Sequence, residues 1–275
     1  MTHPAAGYGV NTYSYIFKGS AAETVARLAD QGYGGVELMF YPGHLWPADL
    51  AARDLTALRT LCEQRLRLVA VNMPNVDMNV AAAVDEMRAC TLDLLVQFVR
   101  CAGELGAGGI IIGPGKPNPL FPMPRERMIS HFYRALDTLA PLARQVGTRL
   151  LIENMPFAFL PDADALMSVV DAYGDDSVRL IYDVANAHFI SEAPADGLRR
   201  VRARLSLVHF SDTTRRAYKH DPLGTGDVPL DGLSGVMQEI GYTELPMLEV
   251  ISSHPDADIA ESWARLRQAG IGSAG

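Results

Sequence analysis

The chain has 275 residues, 48% of them hydrophobic and 8% aromatic, and carries a formal charge of −8. That length suits one large α/β domain, with enough aliphatic side chain to fill a core without a disulfide or metal staple. So acidic a surface repels phosphate backbones and anionic membranes, so neither nucleic acid nor a membrane is expected as a partner.

Cys62, Cys90 and Cys101 fall in helix-like segments without metal-ligand spacing, and read as buried thiols of a reducing, cytoplasmic compartment. The opening MTHPAAGYGV shows no basic region followed by an apolar stretch, so no signal peptide is expected. No apolar run is long enough to span a bilayer.

In chain order, a strand is predicted over Tyr8–Tyr15, followed by a helix over Ser20–Gln31 whose Ser20 and Glu23 have capping-box spacing. The next units pair Gly34–Met39 with the helix Leu50–Arg65, and Leu66–Asn72 with Val80–Leu105. Then come Gly108–Gly113 with Arg125–Gln145, and Arg149–Asn154 with Asp162–Tyr173. The last three units are Val178–Asp183 with Ala195–Arg204, Leu205–Ser211 with Leu230–Ile240, and Met247–Ile251 with Ile259–Ala269.

Runs such as GGIIIGPG and RLLIENM are continuously apolar, as strands of a parallel sheet buried on both faces must be. Eight alternations predict a single (β/α)8 barrel over residues 1–275. A doubly wound sheet is the alternative. It usually places a Gly-rich phosphate turn after its first strand, whereas Gly7-Tyr8-Gly9 stands at the beginning of this one.

In such a barrel the chemistry sits where strands end. The last four end in LLIENMP, RLIYDVANAH, LVHFSDTTR and MLEVISSH, which present Glu153, Asp183, His209 and Glu249. Alternation places Leu151, Ile181, Leu207 and Met247 in an inner layer beneath them, with the four polar groups crowning it on one level. Three carboxylates and an imidazole so close repel unless protons or a cation sit among them, and one divalent ion is the simpler resolution. The oxygen-rich set favours Mn2+, with Mg2+, Co2+ or Zn2+ as alternatives.

These motifs, with the PLGTGDVPLDG stretch and the LEV of the eighth strand, resemble the xylose-isomerase-like barrels over nearly the whole chain. That superfamily holds sugar isomerases, ketose 3-epimerases, inosose-processing enzymes, dehydroshikimate dehydratases and a DNA-repair endonuclease. The resemblance implies that Glu153, Asp183, His209 and Glu249 ligate the metal and that Glu153 and Glu249 also serve as acid and base. It further implies that Arg215, six residues beyond His209, binds substrate.

Many relatives have a histidine three residues after the sixth-strand aspartate. Here that residue is Asn186, and His188 two residues later is a candidate to act in its stead. The extra histidines of the endonuclease's three-metal cluster have no counterpart, since strand three ends in Asn72 and strand four in Gly113-Pro114-Gly115.

Glu37, Asn72 and Trp46 are further candidates for substrate contact, and Asn11, Tyr13 and Asn75 also face the predicted mouth. The expected activity is a metal-dependent isomerase or epimerase of a small polyhydroxylated carbonyl compound, acting by proton transfer through an enediolate. The alternatives are a dehydratase of a cyclic keto-polyol, such as an inosose or dehydroshikimate, and a non-catalytic sugar-binding barrel. A homo-oligomer is compatible with the sequence.

Overall fold

A computed structural model of the chain describes residues 6–272. Residues 1–5, part of the stretch read as free of a leader, and residues 273–275 lie outside the described residues. No described helix is long and apolar enough to cross a membrane.

Ten strands are described, and eight of them close the predicted barrel: β1 (Ala6–Asn11), β2 (Tyr33–Met39), β3 (Arg67–Asn72), β4 (Ile110–Ile112), β5 (Leu150–Glu153), β6 (Val178–Asp183), β7 (Leu205–Phe210) and β10 (Met247–Leu248). Every neighbouring pair is parallel, and β10 closes the ring between β7 and β1. Inside it, Val69, Ile111, Leu151, Ile181, Leu207 and Met247 form the packed layer expected from side-chain alternation. A larger apolar shell, including Phe98, Phe132, Leu166 and Leu198, fills the space between sheet and helices.

Helices α1 (Ala21–Asp30), α2 (Ala52–Arg65), α3 (Asp85–Leu105), α4 (Arg125–Val146), α5 (Ala163–Tyr173), α7 (Pro194–Val201), α8 (Leu233–Glu239) and α9 (Pro255–Gln268) form the outer layer. The predicted capping box opens α1: Ser20 accepts from the Glu23 backbone N–H while Glu23 accepts from that of Ser20.

The boundaries differ where side chains compete with the backbone. The first strand stops at Asn11, because the Asn11 Oδ1 accepts from the Tyr13 N–H and turns the chain into a short 3₁₀ segment over Tyr13–Tyr15. The third helix begins at Asp85 rather than Val80, since Asn79 Oδ1 instead holds the Ala81 N–H in the preceding loop.

Two elements were not predicted. A one-and-a-half-turn helix, α6 (Val184–Phe189), leaves β6 directly. A hairpin of β8 (Asp212–Thr214) and β9 (Ala217–Asp221) occupies what reads as an irregular loop. Of the cysteines, Cys62 and Cys101 are buried as expected but Cys90 is exposed on α3.

Candidate metal centre

Glu153 ends β5, Asp183 ends β6, His209 lies next to last in β7, and Glu249 immediately follows β10. All four are buried, and one ligand atom from each lies within 4.8 Å of every other. Ligands on opposite sides of one ion, each about 2.2 Å from it, are themselves about 4.4 Å apart, so the span matches a single ion.

The four do not occupy one ladder level, as alternation alone suggested. Asp183 is in register with His209, but Glu153 is in register with Ile181, and His209 pairs with Met247, two residues short of Glu249. The tilt of barrel strands staggers the register around the ring and still brings the side chains to one point.

The local chain explains how each group is held. Asp183 caps α6: its Oδ1 accepts from the Asn186 N–H at 2.6 Å, while its own N–H and C=O are clamped by the Asn154 amide at 2.7 and 3.0 Å. Its Oδ2 is buried and has no hydrogen-bond partner among the described residues. Glu153 Oε1 accepts from Asn186 Nδ2 at 3.3 Å, so Asn186 reaches a metal-ligand candidate directly.

His209 is gripped from behind. Its Nε2 lies 2.7 Å from Glu37 Oε2 and its Nδ1 faces Glu249 Oε2 at 3.0 Å. A hydrogen on Nε2 donated to Glu37 leaves the Nδ1 lone pair aimed into the cluster, the arrangement by which a carboxylate orients a metal-ligating histidine.

Glu37 is fully buried and spends its other oxygen on Asn11 and Asn72, whose amides donate at 2.5 and 2.9 Å. Expected as a substrate contact, Glu37 is instead a buttress of His209, and Asn72 a buttress of Glu37. Asn11 also donates to Glu249 Oε1 at 3.2 Å, tying the β1 end to the closing strand.

Burial and close approach shift the titration of the four groups. Burial, with Glu249, Asp183 and Glu37 adding to it, pushes the Glu153 carboxyl well above its ordinary range. Burial likewise lifts Asp183 to about 6, although His220 and His209 pull the other way. Burial would raise Glu249 too, but His209 and His220 outweigh it and lower the group to about 2. For His209 burial is outweighed by Glu37 and Glu249, which raise it well above its ordinary value.

The partnerless buried Oδ2 of Asp183, together with burial that raises both Asp183 and Glu153, makes this donor set suited to a cation. The residues present therefore fit a divalent ion.

The other sequence candidates are placed differently. His188 does not reach the cluster: its Nε2 pairs with Asp227 at 2.7 Å, latching α6 to the segment after the hairpin. Trp46 packs edge-on against Phe98, with ring centres 5.2 Å apart, and serves the contact between the second loop and α3. Arg215 is exposed at the hairpin turn.

The residue that the sequence does not single out is His220, which lies on β9. Its Nδ1 stands 3.0 Å from Ser211 Oγ, 3.4 Å from Glu249 Oε2 and 3.7 Å from Asp183 Oδ2, and its Nε2 meets the Tyr218 hydroxyl at 3.0 Å. The signal was present: in AYKHD strand alternation puts Tyr218 and His220 on one face. Tyr218 continues into a rim of aromatic rings, 5.3 Å from both Phe157 and Phe189.

Comparisons with known proteins agree with this architecture. An uncharacterised protein of Methanocaldococcus jannaschii is 19% identical over 250 residues, covering 88% of this chain and 83% of that protein. Among solved structures, a D-tagatose 3-epimerase-like protein superposes with a TM-score of 0.82 at 18% identity, over 95% of this chain and 96% of its own. The 3-keto-D-glucoside 4-epimerase YcjR from E. coli gives 0.78 at 16% identity, over 96% and 99%. A model of the xylose isomerase-like TIM barrel matches residues 25–269, from α1 through α9, and the chain belongs to that family.

Proposed function

We propose that this protein is a divalent-metal-dependent isomerase or epimerase of a small sugar or keto-polyol. One observation carries the reading: two glutamates, Glu153 and Glu249, arrive from different strands at one buried point shared with Asp183 and His209. Binding alone does not call for two buried glutamates at such a point, whereas proton removal and return at a carbon does. That one solved neighbour named above is a 3-keto-D-glucoside 4-epimerase and the other a D-tagatose 3-epimerase-like protein supports the same reading.

Glu153, Asp183, His209 and Glu249 would hold the ion, and their oxygen-rich chemistry favours Mn2+. When bound, such an ion supplies positive charge for a substrate's carbonyl and adjacent hydroxyl and lowers the cost of the negative charge that develops there. One glutamate takes the carbon-bound proton and the other, protonated, delivers one. A proton is gained and another lost at the substrate, and exchange with solvent resets the pair.

Asn11 fixes the orientation of Glu249 and Asn186 that of Glu153. Asn186 cannot titrate, so it contributes hydrogen bonds and no proton transfer.

The test is to incubate the Mn2+-loaded protein in D2O with a panel of ketoses and cyclic keto-polyols. The expected product is an isomer carrying solvent deuterium at one carbon. A product lighter by one water would reassign the protein as a dehydratase. Absence of exchange across the panel, with metal confirmed bound, would overturn the reading.

A further inference from the structure

On the outer helix layer, a cleft of about 170 Å³ between α3 and α4 is lined by Val80, Arg88, Leu92, His131, Arg134 and flanking alanines. We propose that it is a binding site for a small oxyanion of the phosphate or sulfate type.

The argument begins with a forced tautomer. His131, 4% exposed, receives a hydrogen bond at Nδ1 from the Arg134 guanidinium. A guanidinium has no lone pair to offer, so Nδ1 must accept and the ring hydrogen sits on Nε2. That Nε2 is buried and has no partner among the described residues. A buried N–H of this kind calls for an acceptor.

The charges around it specify which acceptor. Burial, then Arg88, Arg134 and Arg127, hold His131 below its ordinary pKa, which keeps it a neutral donor among three guanidinium groups. Arg88 is 17% exposed and donates to the Ala82 carbonyl and to Asp85. Asp85, the carboxylate paired with Arg88, is 85% exposed, so water screens much of its charge. The rest of the lining is apolar and supplies no competing acceptor. Its volume also admits a short carbon substituent, so the anion could be a free ion or the head of a small phosphomonoester.

The experiment titrates sulfate, and separately methyl phosphate, into the metal-loaded full-length protein at constant ionic strength in chloride, followed by calorimetry and by the ¹⁵N–¹H signal of His131. The expected result is one saturable site per chain whose occupancy shifts the Nε2–H resonance. A preference for methyl phosphate identifies a phosphorylated metabolite as the natural ligand, and equal affinities identify a free oxyanion.

Arg134→Gln, at an exposed position, should weaken binding at least about tenfold. His131→Phe should do the same, and Glu249→Gln should leave binding unchanged. Absence of saturable binding, equal affinity in folded Arg134→Gln, or loss of binding in Glu249→Gln would each overturn the proposal, and none of them touches the function proposed for the barrel mouth.

Discussion

The two halves of the barrel divide the labour at its mouth. At or just past the ends of β5, β6, β7 and β10 lie the four groups that converge on one point, whereas Asn11, Glu37 and Asn72 lie at or near the ends of β1, β2 and β3. The second set reaches that point only through the first: Asn72 and Asn11 hold Glu37, and Glu37 holds His209. One half carries charge to the centre, and the other fixes how that charge is presented. Residues of the second half should therefore alter affinity and orientation without abolishing chemistry, and the difference is measurable.

The largest effect should come from removing the ion itself. Chelation and dialysis should abolish turnover and lower the melting temperature. An ion at a hundredfold excess over its dissociation constant contributes about 2.7 kcal/mol, or roughly 5–10 °C for a chain of this size. Thermal melting with and without restored Mn2+ checks it, and an unchanged midpoint after confirmed metal loss would dissolve the shared site.

The same pair of melts has a pH signature. In the stripped protein Asp183 is raised to about 6, and Glu153 and His209 are raised well above their ordinary values, so as pH falls toward and through 6 the folded state binds more protons than the unfolded one. Its stability accordingly increases as pH falls through that window. Glu249, lowered to about 2, loses its contribution only under more acidic conditions. Protons also compete with the ion, so the gap between loaded and stripped protein should narrow toward pH 5.

Glu249→Gln comes next. It keeps size and one ligand oxygen but removes the group that exchanges a proton, so kcat should fall by about 10²–10⁴ while the fold persists. Near-normal turnover with the metal still bound would deny Glu249 its role.

In the supporting half, Glu37→Gln should weaken metal affinity by about 10–100-fold, because a neutral amide polarises and orients the His209 ring less well. Calorimetric titration of Mn2+ reads this directly, and an unchanged affinity would erase the distinction between the halves. Asn72→Ala, which removes one of two amides from Glu37, should produce a shift of only a few-fold in the same titration. A loss as large as that of Glu37→Gln would make Asn72 an equal partner rather than a support.

The half that carries the four converging groups was the legible half. Glu153, Asp183, His209 and Glu249 each follow an apolar run, and strand alternation places them above Leu151, Ile181, Leu207 and Met247, as the interior layer bears out. The fold was legible for the same reason, since periodicity of buried side chains is a local property of sequence.

What escaped depends on contacts between distant segments. Nothing near Glu37 distinguishes a substrate contact from a histidine's partner 172 positions away. The sequence offers His188 as a candidate and passes over His220. Only the packing of α6 against Asp227, and the antiparallel pairing of β8 with β9, sends one outward and the other toward the centre. Trp46 reads as a sugar platform until its neighbour proves to be Phe98.

The closing strand β10 is two residues long, joins β7 to β1, and is followed at once by Glu249. Ring closure and completion of the ligand set are therefore one event in folding. A partly folded chain in which the first seven barrel strands have assembled but the seam is open holds only three of the four ligands, with Asn11 unable to reach the fourth. Pairing the two ends of the chain is the step of greatest sequence separation, and such steps come slowly. If the four groups hold the proposed ion, recovery of metal binding during refolding would serve as a clock for seam closure, and excess metal would act on the last step by holding the ring shut once it has formed.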